Sequence, residues 1–125
     1  MVDSGHVILV VDDDAAVRVV TRKMLERLGY TVLAAEDGEQ ALNLCDGFGA
    51  MPDLIISDIR MPQIGGGELV RELERNGARP RFLLMSGHAD EAVKAQLDVG
   101  RYPFLKKPFG LEELGAKVRE ALEVS

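Results

Sequence analysis

The stretch Asp53-Leu54-Ile55-Ile56-Ser57-Asp58 constrains the fold of this chain more than any other. Its apolar residues run on without alternating, which suits a central strand covered on both faces in a parallel sheet. Asp58 stands where that strand ends, and Met61-Pro62 with Gly65, Gly66 and Gly67 mark the loop beyond it. In an open parallel sheet the ligand crevice lies outside the carboxyl ends of the strands, so a carboxylate at that point is placed for chemistry.

The same pattern recurs along the chain. Val7 to Val11 is a β-branched and apolar run that leads directly into Asp12-Asp13-Asp14. Val17, Val20, Met24, Leu25 and Leu28 then recur at helical spacing, with Arg18, Arg22, Lys23 and Glu26 outside the stripe and Gly29 as the stop. Thr31 to Ala35 is a short strand, and Asp37 caps a helix over Glu39 to Asp46. A third helix runs from about Gly66 to Asn76. Arg81 to Met85 is a fourth strand that ends at Ser86-Gly87. Asp90 to Val99 has a thin apolar stripe (Ala89, Val93, Leu97), which predicts a lightly held helix. Pro103 to Lys106 is a short fifth strand followed by Lys107-Pro108, and Leu111 to Leu122 is the last helix, with Leu111, Leu114, Val118 and Leu122 on one face.

Five strand-then-helix units in 125 residues predict one α/β domain, a doubly wound five-stranded parallel sheet with five helices and right-handed crossovers. The flavodoxin-like strand order 2-1-3-4-5 is the common solution. It makes the first and third strands neighbours, so Asp12, Asp13 and Asp58 share one crevice. The domain is expected over residues 7–125, and residues 1–6, His6 included, as a disordered polar tail.

Composition removes several functions. A formal net charge of -6 argues against a broad footprint on a nucleic-acid backbone. No apolar run approaches the ~20 residues of a membrane span, and the first residues lack the pattern of a signal peptide, so no membrane contact is expected and the cytoplasm is the expected compartment. The one cysteine, Cys45, lies in an apolar-periodic stretch and is expected to be a small core residue.

Carboxylates packed into one crevice repel. A pair at ~4 Å with an effective dielectric of ~20 costs on the order of 4 kcal/mol, so either one carboxyl stays protonated or a cation sits among them. A hard divalent ion such as Mg²⁺, held by one or two carboxylates plus a phosphate, suits a site with few protein ligands. Ser86 and Lys107 reach the same sheet edge and offer a hydroxyl donor and a compact positive charge, which is what a transferring phosphoryl group needs. Asp58 is the candidate nucleophile, since a carboxylate can accept phosphorus as an aspartyl phosphate. Asp12-Asp13-Asp14 taken alone could equally be a solvated helix cap, and Asp14 is expected to be one.

Asp12-Asp13, Asp58 with Met61-Pro62, Ser86 and Lys107-Pro108, in this order at successive strand ends, together resemble the receiver domain of bacterial two-component response regulators, the CheY-like fold. The resemblance covers about Val7 to Leu122. It implies that Asp58 is the phosphoacceptor, charged from the phosphohistidine of a sensor histidine kinase or a histidine phosphotransfer domain. It implies that Mg²⁺, or Mn²⁺, is ligated by Asp13, Asp58 and the backbone carbonyl of Arg60, with Asp12 acting through water. Lys107 and Ser86 would bind the phosphoryl group, the Lys107–Pro108 bond would be cis, and Phe104 would turn inward as the switch aromatic. The face made by the fourth helix, fifth strand and fifth helix would then change and meet a downstream effector or a second copy. Arg60 and His88, two residues beyond Asp58 and Ser86, occupy positions that tune the phosphoryl lifetime in that family.

Some residues depart from the family pattern. Phe104 stands where a tyrosine is common, which leaves the switch to packing. Gly65 and Gly67 loosen the loop after Asp58, and Arg101-Tyr102-Pro103 replaces small and acidic residues before the fifth strand. Two other functions are weaker. A haloacid-dehalogenase-type phosphatase needs a second aspartate two residues after the nucleophile, where this chain has Arg60. A flavodoxin-type cofactor binder needs a hydroxyl-rich loop after the first strand, where this chain has three acids. The expected contexts are a stand-alone regulator, a receiver from a longer regulator, or the receiver of a hybrid sensor kinase. Leu84 to His88 and Phe104 to Phe109 look most like the hybrid-kinase group.

Overall fold

Apolar runs that do not alternate can be satisfied only between two covering layers. That is how they are used in the computed structural model, which describes residues 6–47, 51–59, 65–75, 81–87 and 103–123. Strands β1 (Val7–Val11), β2 (Thr31–Ala35), β3 (Leu54–Asp58), β4 (Phe82–Ser86) and β5 (Phe104–Lys106) form one parallel sheet in the order β2-β1-β3-β4-β5. Every residue of β3 and β4 is buried. The helices are α1 (Ala15–Arg27), α2 (Gly38–Gly47), α3 (Gly66–Arg75) and α4 (Leu111–Glu123), the last being the fifth helix of the sequence reading. The helix expected over Asp90 to Val99 lies outside the described residues.

Strand periodicity divides the core in two. Ile8, Val10, Ile56 and Met85 face one way and pack with Leu25 of α1 and Leu114 and Val118 of α4. Leu9, Val11, Ile55 and Leu84 face the other way, against Ala41 and Cys45 of α2 and Leu69, Val70 and Leu73 of α3. Cys45 is therefore a buried core residue.

Local signals set the ends of α1. Asp14 caps it, its Oδ1 accepting the N–H of Ala16 at 2.9 Å and of Val17 at 3.3 Å. At the other end Gly29 takes φ 100°, the left-handed conformation that glycine adopts without strain. The N–H of Gly29 then reaches the Glu26 carbonyl at 3.0 Å and that of Tyr30 the Leu25 carbonyl at 3.1 Å, a Schellman closure. The buried stripe of α1 differs from the expected one: Thr21 and Leu25 are buried while Val20 is 51% exposed. Thr21, at i+4 from Val17 and i−4 from Leu25, takes the inward position, and a stripe drawn through apolar residues alone passes over it.

At the rim away from the strand carboxyl ends, β1 and β3 are joined by a reciprocal pair. The Asp53 N–H donates to the Val7 carbonyl at 2.8 Å, and the Val7 N–H donates to Asp53 Oδ2 at 2.7 Å. His6 is not part of a free tail as expected. Its carbonyl accepts the N–H of Thr31 at 3.1 Å and its ring lies 6.5 Å from that of Tyr30, so the first ladder bond of β2 already holds it. Residues 1–5 lie outside the described ones.

Candidate functional site

Because β1 and β3 are neighbours, their carboxyl ends bring Asp12, Asp13 and Asp58 together, each with a carboxylate oxygen within 4.8 Å of the others. Their environments differ. Asp12 is fully buried, Asp58 is 8% exposed, and Asp13 is open to solvent. Asp12 Oδ1 accepts the N–H of Asp14 at 2.9 Å, so the same turn that caps α1 also fixes the Asp12 carboxylate.

Lys107 enters from the far side of the sheet. Its N–H donates to the Ser86 carbonyl at 2.8 Å, which extends the β4–β5 ladder by one residue and aligns the lysine with the strand ends. The Lys107–Pro108 peptide is cis. Lys107 Nζ donates to Asp12 Oδ2 at 2.8 Å and to Asp58 Oδ2 at 2.7 Å. Burial works to lower the lysine pKa, but the hydrogen bonds to Asp12 and Asp58, together with their charges, outweigh it and hold the ammonium above its ordinary value. The repulsion foreseen among the carboxylates is thus relieved in part by the chain's own cation.

Three carboxylates and one ammonium leave a formal charge of two negatives, which a divalent ion balances. The donors are hard oxygens, and Asp13 keeps the cluster open on the solvent side. This donor set fits Mg²⁺ or Mn²⁺ and has neither the thiolate nor the imidazole that softer metals prefer.

Ser86, at the end of β4, is 1% exposed. Phe104 begins β5 and is half-buried against the cluster on the α2–α3 side of the sheet. Arg60, Met61, Pro62 and His88 lie outside the described residues. Two supporting groups escaped the sequence reading. Arg18 Nη1 donates to the Asp12 carbonyl at 2.7 Å, and Ser57 Oγ donates to the Asp58 carbonyl at 3.0 Å. Arg18 was legible in principle, because side chains on a helix lean toward its N-terminus and a long one in the first turns reaches back over the preceding loop.

The chain as a whole is similar to known proteins. Residues 8–119 match the model of the response regulator receiver domain family. The chain belongs to that family. Among curated relatives, this receiver domain is 37% identical over 117 residues to the sensor kinase CckA of Brucella abortus and 40% identical over 116 residues to the response regulator MprA of Mycolicibacterium vanbaalenii. These alignments take in 93% and 92% of the chain but only 12% of CckA and 49% of MprA, so it spans half or less of those relatives. Among solved structures, the chemotaxis protein CheY4 of Vibrio cholerae superposes with a TM-score of 0.82 at 29% identity, covering 93% of this chain and 98% of that one. The receiver family carries a signalling role. No helix among the described residues is long and apolar enough to cross a membrane.

Proposed function

We propose that this receiver domain accepts a phosphoryl group on Asp58 from the phosphohistidine of a sensor histidine kinase or a histidine phosphotransfer domain. A carboxylate oxygen of Asp58 forms the new bond to phosphorus as the phosphorus–nitrogen bond of the donor breaks. The imidazole leaves with that electron pair, and Asp58 becomes an aspartyl phosphate. The observation that carries this reading is Lys107 Nζ held between Asp12 and Asp58 at 2.8 and 2.7 Å, beside a third carboxylate.

A bound Mg²⁺ or Mn²⁺ would supply positive charge to the phosphoryl oxygens. Asp13 and Asp58 would hold it, with the backbone carbonyl of Arg60 as a further ligand. Both oxygens of Asp12 already accept a hydrogen bond, which supports a role for Asp12 through water. Lys107 would turn its ammonium from Asp58 to a phosphoryl oxygen, and Ser86 would donate its hydroxyl to another. Phe104 would follow inward, and the face of the expected fourth helix, β5 and α4 would pass the change to an effector or a second copy. Arg60 and His88 would tune how long the phosphoryl group lasts.

The outer edge of α1 suits the donor protein. Val19 and Val20 are 48% and 51% exposed, and the helix begins directly after the acidic turn, so these valines stand within two turns of the site. The match to CckA supports placement within a hybrid sensor kinase, and the match to MprA supports placement in a longer response regulator; in either context the domain would work in the cytoplasm.

Intact-mass measurement after incubation with acetyl phosphate and Mg²⁺ tests the assignment. One phosphoryl group should be gained by the wild type and none by Asp58→Asn. A wild type that gains no mass, or an Asp58→Asn variant labelled equally fast, overturns it.

A further inference from the structure

A Cβ built on Gly65 would lie 2.7 Å from the carbonyl oxygen of Ile59, the residue immediately after Asp58. No real side chain approaches a backbone oxygen so closely, so the contact exists only because residue 65 is glycine. Both partners are held from behind. The Ile59 N–H donates to the Met85 carbonyl at 2.9 Å, which ties the end of β3 to β4. Gly65 is tied to α3 through its carbonyl, which accepts the N–H of Leu69 at 2.9 Å, and α3 is fixed in turn by Leu69 and Val70, both fully buried. The atom in the way is backbone and not the end of a flexible side chain, so relief has to come from the main chain, at the Ile59 carbonyl or at the start of α3. The bare Cα of Gly65 therefore sets how far the Ile59 carbonyl can swing, and the Asp58 carboxylate is attached one residue upstream.

We infer that Gly65 is a positioning residue for Asp58: by letting the start of α3 close on the Ile59 carbonyl, it fixes the angle at which the Asp58 carboxylate meets Lys107 and the divalent ion. This rests on the phosphoacceptor reading above. A methyl at residue 65 must displace the Ile59 carbonyl or the start of α3, and a displaced carbonyl acts on Asp58 through the Ile59 backbone.

Gly110 supplies the matched comparison. It stands at the same place relative to its helix, its carbonyl accepting the N–H of Leu114 at 3.0 Å, but a Cβ there meets nothing within 4 Å. The experiment measures Mg²⁺ affinity by calorimetry, the rate of labelling by acetyl phosphate at saturating Mg²⁺, and the thermal midpoint, for wild type, Gly65→Ala and Gly110→Ala. Gly65→Ala should bind Mg²⁺ on the order of 10-fold more weakly, the size expected when a group supporting a metal ligand is disturbed. Its labelling should remain slow when Mg²⁺ is saturating, while Gly110→Ala matches wild type in both. If wild type is labelled and Gly65→Ala shows wild-type Mg²⁺ affinity and rate, the inference is overturned even when its thermal midpoint falls. If wild type is not labelled, the functional reading fails and the inference fails with it.

Discussion

Lys107 Nζ lies 2.7 Å from Asp58 Oδ2, and the same ammonium reaches the fully buried Asp12 at 2.8 Å. One cation from just beyond β5 thus holds two acids from the ends of β1 and β3. Removing it should leave Asp12 charged without its partner. Lys107→Met is expected to lose about 1.5–3 kcal/mol at neutral pH, the range for hydrogen bonds to charged groups. Because the cluster then carries one more negative charge, Mg²⁺ should restore part of that loss. Denaturant unfolding of wild type and variant, with chelator and with Mg²⁺, measures both effects, and equal stability in chelator would count against the bridge.

The same bridge fixes a direction for pH. The folded state holds the Lys107 pKa above its ordinary value of 10.5, so folding favours the protonated form. The stabilisation is complete below the unfolded value and is lost as pH rises through the higher folded one. The stability gap between wild type and Lys107→Met should therefore be level from pH 7 to about 9 and narrow above about 10.5. Melting curves across that range decide it. A gap that widens in alkali would mean that the lysine is not held by its ion pairs.

The sheet order and the grouping of Asp12, Asp13 and Asp58 were legible in the sequence because uninterrupted apolar runs and parallel-sheet topology leave few alternatives. Lys107 was legible as a site residue, but its resting partners were not, since its bonds to Asp12 and Asp58 span 95 and 49 residues and depend on side-chain conformation. Thr21 was missed because a buried polar residue carries no hydrophobic signal. Val20 was misplaced for the same reason, since a stripe drawn through apolar residues alone turns the helix about its axis. Gly65 was read as loosening its loop, whereas its lack of a side chain permits a close contact that becomes visible only when Ile59 is in place.

At the opposite rim, Asp53 should matter for stability and not for chemistry. Its carboxylate accepts the Val7 N–H at 2.7 Å, and the residue closes the β1–β3 pairing at the end remote from the site. Asp53→Ala is expected to lose about 1–3 kcal/mol, the cost of stranding a backbone donor, and Asp53→Asn less, because the amide oxygen can still accept. Labelling of folded Asp53→Ala by acetyl phosphate should match wild type. A slowed rate would link the two rims in a way the geometry does not suggest.

Val19 and Val20 separate donor docking from chemistry. Both are about half exposed, so Val19→Asp or Val20→Asp should change stability by no more than about 0.5 kcal/mol. Acetyl phosphate, a small donor that needs no surface, should label these variants at the wild-type rate. Transfer from a cognate histidine-phosphorylated protein should slow by about 10-fold if the valines are central to the contact. Equal transfer rates would place the donor elsewhere on the domain.

Asp12 and Asp13 are neighbours in sequence but opposite in exposure, and substitution should separate their roles. Asp13 is exposed, so Asp13→Asn removes negative charge from the cluster without stranding a buried partner. It should leave stability in chelator unchanged or slightly raised, while weakening Mg²⁺ binding by about 10-fold or more, as loss of a direct carboxylate ligand requires. Asp12 is fully buried, with one oxygen on the Asp14 N–H and the other on Lys107. Asp12→Asn keeps the volume and one acceptor oxygen but loses the charge that faces the ammonium, so it should lose about 1.5–3 kcal/mol even in chelator. Calorimetric Mg²⁺ titrations alongside unfolding curves resolve the two effects. If Asp13→Asn destabilises the fold as much as Asp12→Asn while binding Mg²⁺ normally, the exposed acid is a cap like Asp14, and the divalent ion must find its ligands without it.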